Sequence, residues 1–197
     1  GASLAGARLA GATLDHVRLD FLDLSRLDLS NASLHGASFR GANLAGASLR
    51  NSDLTQAQLE SALFDNADLT GANLVGASLR GARFDSAILR GIRAQNAILD
   101  GVELENLAME AADLSGVQAD NAQLKGCKLD RAVFRDAGLR GANFHGASLV
   151  EAVFDGAQCE GASLSGADLE RASFVRCNLS RADLRGSSLI GAVLDGC

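Results

Sequence analysis

Large apolar residues recur at every fifth position of the chain, and no insertion or deletion shifts the phase. Between Leu4 and Leu194 there are 39 such positions, and all but Ala94, Met109, Ala119 and Cys159 carry Leu or Phe. With such a position written i, alanine fills 28 of the 40 positions at i−2, and 21 of the 22 glycines stand at i+2. The unit is plainest in Gly71-Ala72-Asn73-Leu74-Val75-Gly76-Ala77-Ser78-Leu79-Arg80. A helix would space its apolar residues near 3.6 and a half-buried strand near 2, so a period of five fits neither. The chain therefore has to turn a corner once per unit. Residues i−1, i and i+1 form a very short extended segment with i pointing inward, and the small residues at i−2 and i+2 occupy the corner. Four such corners would close a coil of twenty residues. Internal repetition of this kind marks an all-β solenoid, in which each coil packs on its neighbours.

Ala42-Asn43-Leu44, Ala67-Asp68-Leu69, Ala72-Asn73-Leu74, Ala112-Asp113-Leu114, Ala142-Asn143-Phe144, Ala167-Asp168-Leu169 and Ala182-Asp183-Leu184 resemble the A(D/N)Lxx motif of pentapeptide-repeat proteins. The resemblance runs through essentially the whole chain. It implies a right-handed quadrilateral β-helix, the handedness and the four-sided section coming from the family rather than from the period. Residues 1–197 then form one solenoid domain of nearly ten coils, about 47 Å long if coils stack at the usual inter-strand distance. Gly1-Ala2-Ser3-Leu4 is already in phase and Cys197 still stands at i−2, so neither end carries a cap. The expectation is a fragment of a longer protein, or a rod whose ends are covered by another chain through end-to-end or side-by-side association.

Two zones break the rule. From Asp15 to Ser30, Val17, Leu22 and Leu27 replace alanine at i−2 while His16, Phe21 and Arg26 replace glycine at i+2, which predicts a broadened coil. Its carboxylates Asp15, Asp20, Asp23 and Asp28 fall on different faces, so a solvated acidic surface is expected and no cation site. From Ile88 to Asp120 the size order reverses at Ile92/Ala94 and Val117/Ala119, as volume conservation in a narrow bore would require. Val102 with Leu104, and Leu107 with Met109, lack that compensation and predict local swelling. A repacked core is expected there, without a binding pocket. Phe64 with Phe84, and Phe134 with Phe154 and Phe174, share faces one coil apart and should stack.

The search for chemistry is short. Cys127, Cys177 and Cys197 at i−2 and Cys159 at i should all point inward as small apolar residues. Cys177 and Cys197 are one coil apart, within reach of a disulfide, although thiols are expected. No C-x-x-C pair exists, and His16, His35 and His145 lie on different coils with no expected cluster, so the reading names no catalytic residue, metal or cofactor. No apolar run is long enough for a transmembrane helix and no signal peptide is visible; neither locates the parent protein, and the cytoplasm is expected over secretion.

The outward positions form columns with a twenty-residue repeat. Asp20, Arg40, Glu60, Arg80, Asp100, Asp120, Arg140 and Glu160 alternate in sign for most of one column, which supports an in-register rod. Asp65, Asp85, Glu103 and Glu105 make an acidic cluster, diluted by Arg83 and Lys125, that reads either as an ordinary solvated face or as a DNA-like surface. Val133, Val153, Val175 and Val193 occupy outward positions over the Phe134, Phe154 and Phe174 interior, either for β-propensity or as a contact patch for a protein partner. With a net charge of −6 the chain is not a basic nucleic-acid binder. The leading expectation is a non-enzymatic scaffold or protein-interaction module in a larger bacterial protein. The resemblance also implies two alternatives: a DNA-mimicking regulator of DNA gyrase, as in the acidic rods of that family, and a repeat domain of a secretion-system effector or its loading adaptor.

Overall fold

The computed structural model describes Leu4 and residues 7–197, so the corner expected at Gly6 and the phase of Gly1, Ala2 and Ser3 lie outside the described residues. Residues twenty apart are joined by parallel bridges in four ladders. The first climbs from Thr13 through Ser33 to Val193, the second from Arg18 to Asn178, the third from Asp23 to Asp183 and the fourth from Asp28 to Ser188. Every bridge falls on the residue at i−1. No strand longer than one residue forms among the described residues, because the next corner begins at i+1.

At a regular corner the carbonyl of residue i accepts a hydrogen bond from the N–H three residues on, as in Ala42 N–H to Phe39 O at 2.9 Å. The residue at i+2 has positive φ at every corner from Gly11 to Gly196, ranging from 53° at Asn51 to 73° at Gly156. That combination is a type II turn. Glycine meets the requirement only half the time; His16, Phe21, Arg131 and Glu151 adopt the same left-handed conformation with a full side chain. A turn closed on both sides by inter-coil hydrogen bonds over-determines its residue and absorbs that strain. Ala111 stands at such a corner with φ of 56° and only a methyl group to show for it. Ala111→Gly should raise stability by about 0.5–1 kcal/mol in urea titrations, because the left-handed penalty disappears. An unchanged or lower midpoint would contradict the strain.

The Asp or Asn at i−1 has a specific task. The amide at i+1 has no backbone partner, and a side-chain oxygen two residues earlier accepts from it: Thr55 N–H to Asp53 Oδ1 at 3.0 Å, Thr70 to Asp68 at 2.9 Å, His145 to Asn143 at 3.0 Å. Where i−1 is not Asp or Asn, an aspartate on the previous coil can substitute, as Asp20 does for Arg40 at 3.0 Å and Asp155 for Val175 at 3.1 Å. Asp20 is held below the usual carboxylate range, chiefly by the Ser38 side chain. For Asp28 the main cause is the Ser30 side chain.

Inside the coils the Leu and Phe residues are buried almost completely, with Leu69, Leu129 and Phe154 at 0% exposure. Phe64 stacks on Phe84 at 5.0 Å, and Phe154 lies 4.8 Å from both Phe134 and Phe174, with the planes within 9° of parallel. Phe144, on the adjoining interior face, adds edge contacts to Phe134 and Phe154. The exchanged pairs Ile92/Ala94 and Val117/Ala119 are all buried, as volume conservation requires. In the broadened coil the corner bonds of Val17, Leu22 and Leu27 stretch to 3.3–3.4 Å but remain closed.

Candidate partner-binding faces

The valine face is less continuous than its spacing suggests. Val133 is bridged to Val153 in the first ladder, but Ser173 stands between Val153 and Val193. Val175 belongs to the neighbouring column, where its N–H is held by Asp155. Val133, Val153 and Val175 are half-buried, and Val193 is 41% exposed. Lateral packing between coils covers much of each valine, leaving a shallow apolar strip flanked by the loosely paired Arg135 and Asp155 at 3.9 Å.

The acidic face lies along the third ladder. Arg83 reaches Asp65 and Asp85, each at 3.0 Å. Its guanidinium is held further into the charged form by its hydrogen bond to Asp85 and by the nearby Asp65 charge. Two of the four carboxylates are therefore partnered, while Glu103 and Glu105 are exposed on the next coil. The alternating column is paired as its signs require, with Arg40–Glu60 at 3.3 Å, Arg80–Asp100 at 3.8 Å and Arg140–Asp120 at 3.7 Å. At such exposed positions these pairs contribute little beyond register.

The third ladder is broken once, between Arg83 and Glu103. On the coils before and after, N–H groups equivalent to those of Gly81, Phe84, Ser86 and Glu103 bond to the adjoining coil: Ser61 to Arg80 O at 2.9 Å, Phe64 to Arg83 O at 2.8 Å, Asn66 to Asp85 O at 2.8 Å and Gln123 to Val102 O at 2.9 Å. Those four N–H groups themselves have no partner among the described residues, nor do the facing carbonyls of Ala82, Asp100, Glu103 and Glu105. Two adjoining clefts of about 370 and 310 Å³ follow this seam, the larger lined by Phe84, Asp85, Ser86, Glu103, Glu105, Asn106 and Leu107. Inside, Val102 and Leu107 fill corners that alanine occupies on most other coils, opposite Leu104 and Met109, and all four are buried. The corner bond from Leu107 N–H to Leu104 O is missing as well. The expected swelling is thus present, and it opens a surface cleft where the sequence suggested only a repacked core.

Two other expectations are corrected. His16 and His35 do meet, with ring centroids 5.3 Å apart and edge to face, because residues nineteen apart sit on successive coils. Asp15 beside them is held below the usual carboxylate range, chiefly by the Ser33 hydroxyl at 2.6 Å. Of the cysteines, Cys127, Cys159 and Cys177 are buried but Cys197 is exposed, and all four are free thiols. Burial raises the Cys127 thiol to about 11, and Cys159 is raised by its hydrogen bond to Cys177 and by burial. Iodoacetamide at neutral pH should therefore modify Cys197 alone in the folded rod and all four thiols in denaturant. Rapid native modification of Cys127 would contradict the packing. No three His, Cys, Asp or Glu side chains among the described residues are grouped to hold a metal ion, and no helix there is long and apolar enough to cross a membrane.

The sequence profile of the family described as Pentapeptide repeats matches residues 19–116 and 120–191 in overlapping copies. Among solved structures the chain is similar to HetL, a pentapeptide repeat protein involved in heterocyst differentiation regulation from the cyanobacterium Nostoc sp. strain PCC 7120. The identity is 30% over 98% of this chain and 94% of that one, with a TM-score of 0.51. It is also similar to trypsin-treated QnrB1, a plasmid-mediated fluoroquinolone resistance protein, at 24% identity over 95% and 85% of the two chains with a TM-score of 0.39. A pentapeptide repeat protein of the Arabidopsis thaliana thylakoid lumen is 28% identical over 67% of this chain and 71% of its own, with a TM-score of 0.27. No curated protein matches the chain in sequence.

Proposed function

Because the chain belongs to the pentapeptide repeat family, we propose that it is a non-enzymatic scaffold, a right-handed four-sided rod that presents fixed columns of side chains to a protein partner. The observation that carries this is the unbroken in-register pairing of the first ladder from Thr13 to Val193, the second from Arg18 to Asn178 and the fourth from Asp28 to Ser188. A rod so cross-linked holds outward residues at fixed spacing and loses little entropy when a partner docks. The involvement of HetL, at 30% identity, in regulating heterocyst differentiation fits a rod that acts through a partner. The valine strip and the acidic face are the two surfaces proposed for that contact. The DNA-mimic alternative is disfavoured by Arg83, which sits within the acidic cluster and pairs with two of its four carboxylates.

Affinity capture from the source cells with the wild-type chain, a Val133→Asp/Val153→Asp variant and a Glu103→Lys/Glu105→Lys variant tests the reading. One variant should lose a stoichiometric protein that the other two chains retain. Identical capture by all three, or capture of nothing, would count against a docking face. In parallel, DNA gyrase supercoiling should be unaffected by micromolar chain. Inhibition that disappears in the Glu103→Lys/Glu105→Lys variant would replace the scaffold reading with the DNA mimic.

A further inference from the structure

We propose that the seam between residues 81–86 and 101–106 binds an extended, lysine- or arginine-bearing peptide by pairing with its backbone. The seam is a gap in the third ladder, so both lips carry unpaired backbone groups. One offers the N–H groups of Gly81, Phe84 and Ser86 with the carbonyl of Ala82; the other offers the carbonyls of Asp100, Glu103 and Glu105 with the N–H of Glu103. An extended chain carries backbone donors and acceptors that such groups can pair with, and an unpaired edge is the usual template for one.

The lining specifies which chain. Phe84 and Leu107 lie at the base of the larger cleft and stay buried, so the base is apolar and a small or β-branched side chain can face it. Asp85, Glu103 and Glu105 stand around the mouth, and the nearest cation, Arg83, is engaged by Asp65 and Asp85. Outward side chains of the occupant would thus meet carboxylates, and basic residues complement them. A peptide alternating basic and apolar residues satisfies both requirements. The third ladder is interrupted only here among the described residues, beside the bulky corner residues Val102 and Leu107, so the site is encoded in the chain's own sequence.

The proposal deepens the scaffold reading by giving one class of partner, and the two fail separately: the peptide measurement requires no cellular protein, and the capture experiment requires no seam. A synthetic peptide alternating lysine and valine would be titrated into the chain by fluorescence anisotropy, with amide exchange followed by NMR. Binding should protect the amides of Gly81, Phe84, Ser86 and Glu103. The same peptide N-methylated at alternate residues should bind at least about tenfold more weakly, because it forfeits several backbone hydrogen bonds. The Glu103→Lys/Glu105→Lys variant, altered only at exposed positions, should also lose about tenfold. Equal binding of the N-methylated peptide, protection outside the seam, or no binding at millimolar peptide would overturn the proposal.

Discussion

Leu69→Asp is expected to destabilise the rod by about 3–5 kcal/mol, the usual consequence of leaving a charge buried without a partner. Leu69 is at 0% exposure, and its column neighbours one coil away, Leu49 and Leu89, are equally apolar. A carboxylate there has nothing to pair with and no path to water. It can escape only by taking up a proton or by separating the coils, and separation breaks the hydrogen bonds from Leu49 N–H to Asp68 O and from Leu69 N–H to Ile88 O. Because each coil touches only its neighbours, the damage should divide the unfolding transition, residues before and after the substitution melting as separate blocks. Val75→Asp is the control. Val75 is an outward, half-buried residue of the following unit, and a charge there should change stability by less than about 1 kcal/mol. Thermal and urea unfolding followed by circular dichroism read both variants. A Leu69→Asp chain that melts with the wild type would overturn the inward assignment of every fifth residue.

That assignment was the most legible part of the protein, because a strict five-residue phase leaves one inward residue per unit and the bore accepts little but Leu and Phe. The ring stacks followed from the twenty-residue spacing alone, and the strain at Val102 and Leu107 from their bulk. Its consequence was not legible. Whether an overfilled corner bulges inward, shears its neighbours or parts the sheet depends on how two adjacent corners add. Here Val102 and Leu107 stand at the two successive corners that bound one face, and the ladder on that face is parted. Nor did side-chain size show that His16, Phe21 and Arg26 would keep the same left-handed corner as glycine, since what holds them there is the hydrogen bonding of the next coil. The valine column looked exposed because sequence position fixes direction but not cover. Ser173 and the flanking side chains reduce it to a strip, while Arg83, which the sequence already placed as diluting the acidic cluster, pairs with two of its four carboxylates.

Phe154→Ala should be the other large loss, and it separates two contributions to the core. Phe154 is completely buried, lies 4.8 Å from Phe134 on one side and from Phe174 on the other, and meets the edge of Phe144 at 5.8 Å. Phe39 is just as buried, but no aromatic ring stacks on it; the residues one coil away in its column are Leu19 and Leu59. Phe39→Ala should therefore report burial and the cavity alone, about 3–5 kcal/mol. Phe154→Ala should cost about 1–3 kcal/mol more, the sum of the two stacked contacts it forfeits. Phe154→Leu places the commonest inward residue of the chain in the stack and retains most of the burial, so it should lose only about 1–2 kcal/mol. The test is urea unfolding of all three variants against the wild type. Equal losses for Phe39→Ala and Phe154→Ala would mean that the rings contribute only as volume. A larger loss at Phe154 would make the aromatic column a distinct clamp on three of the four coils that carry the valine strip, and so a reason for that part of the rod to hold its shape when a partner binds.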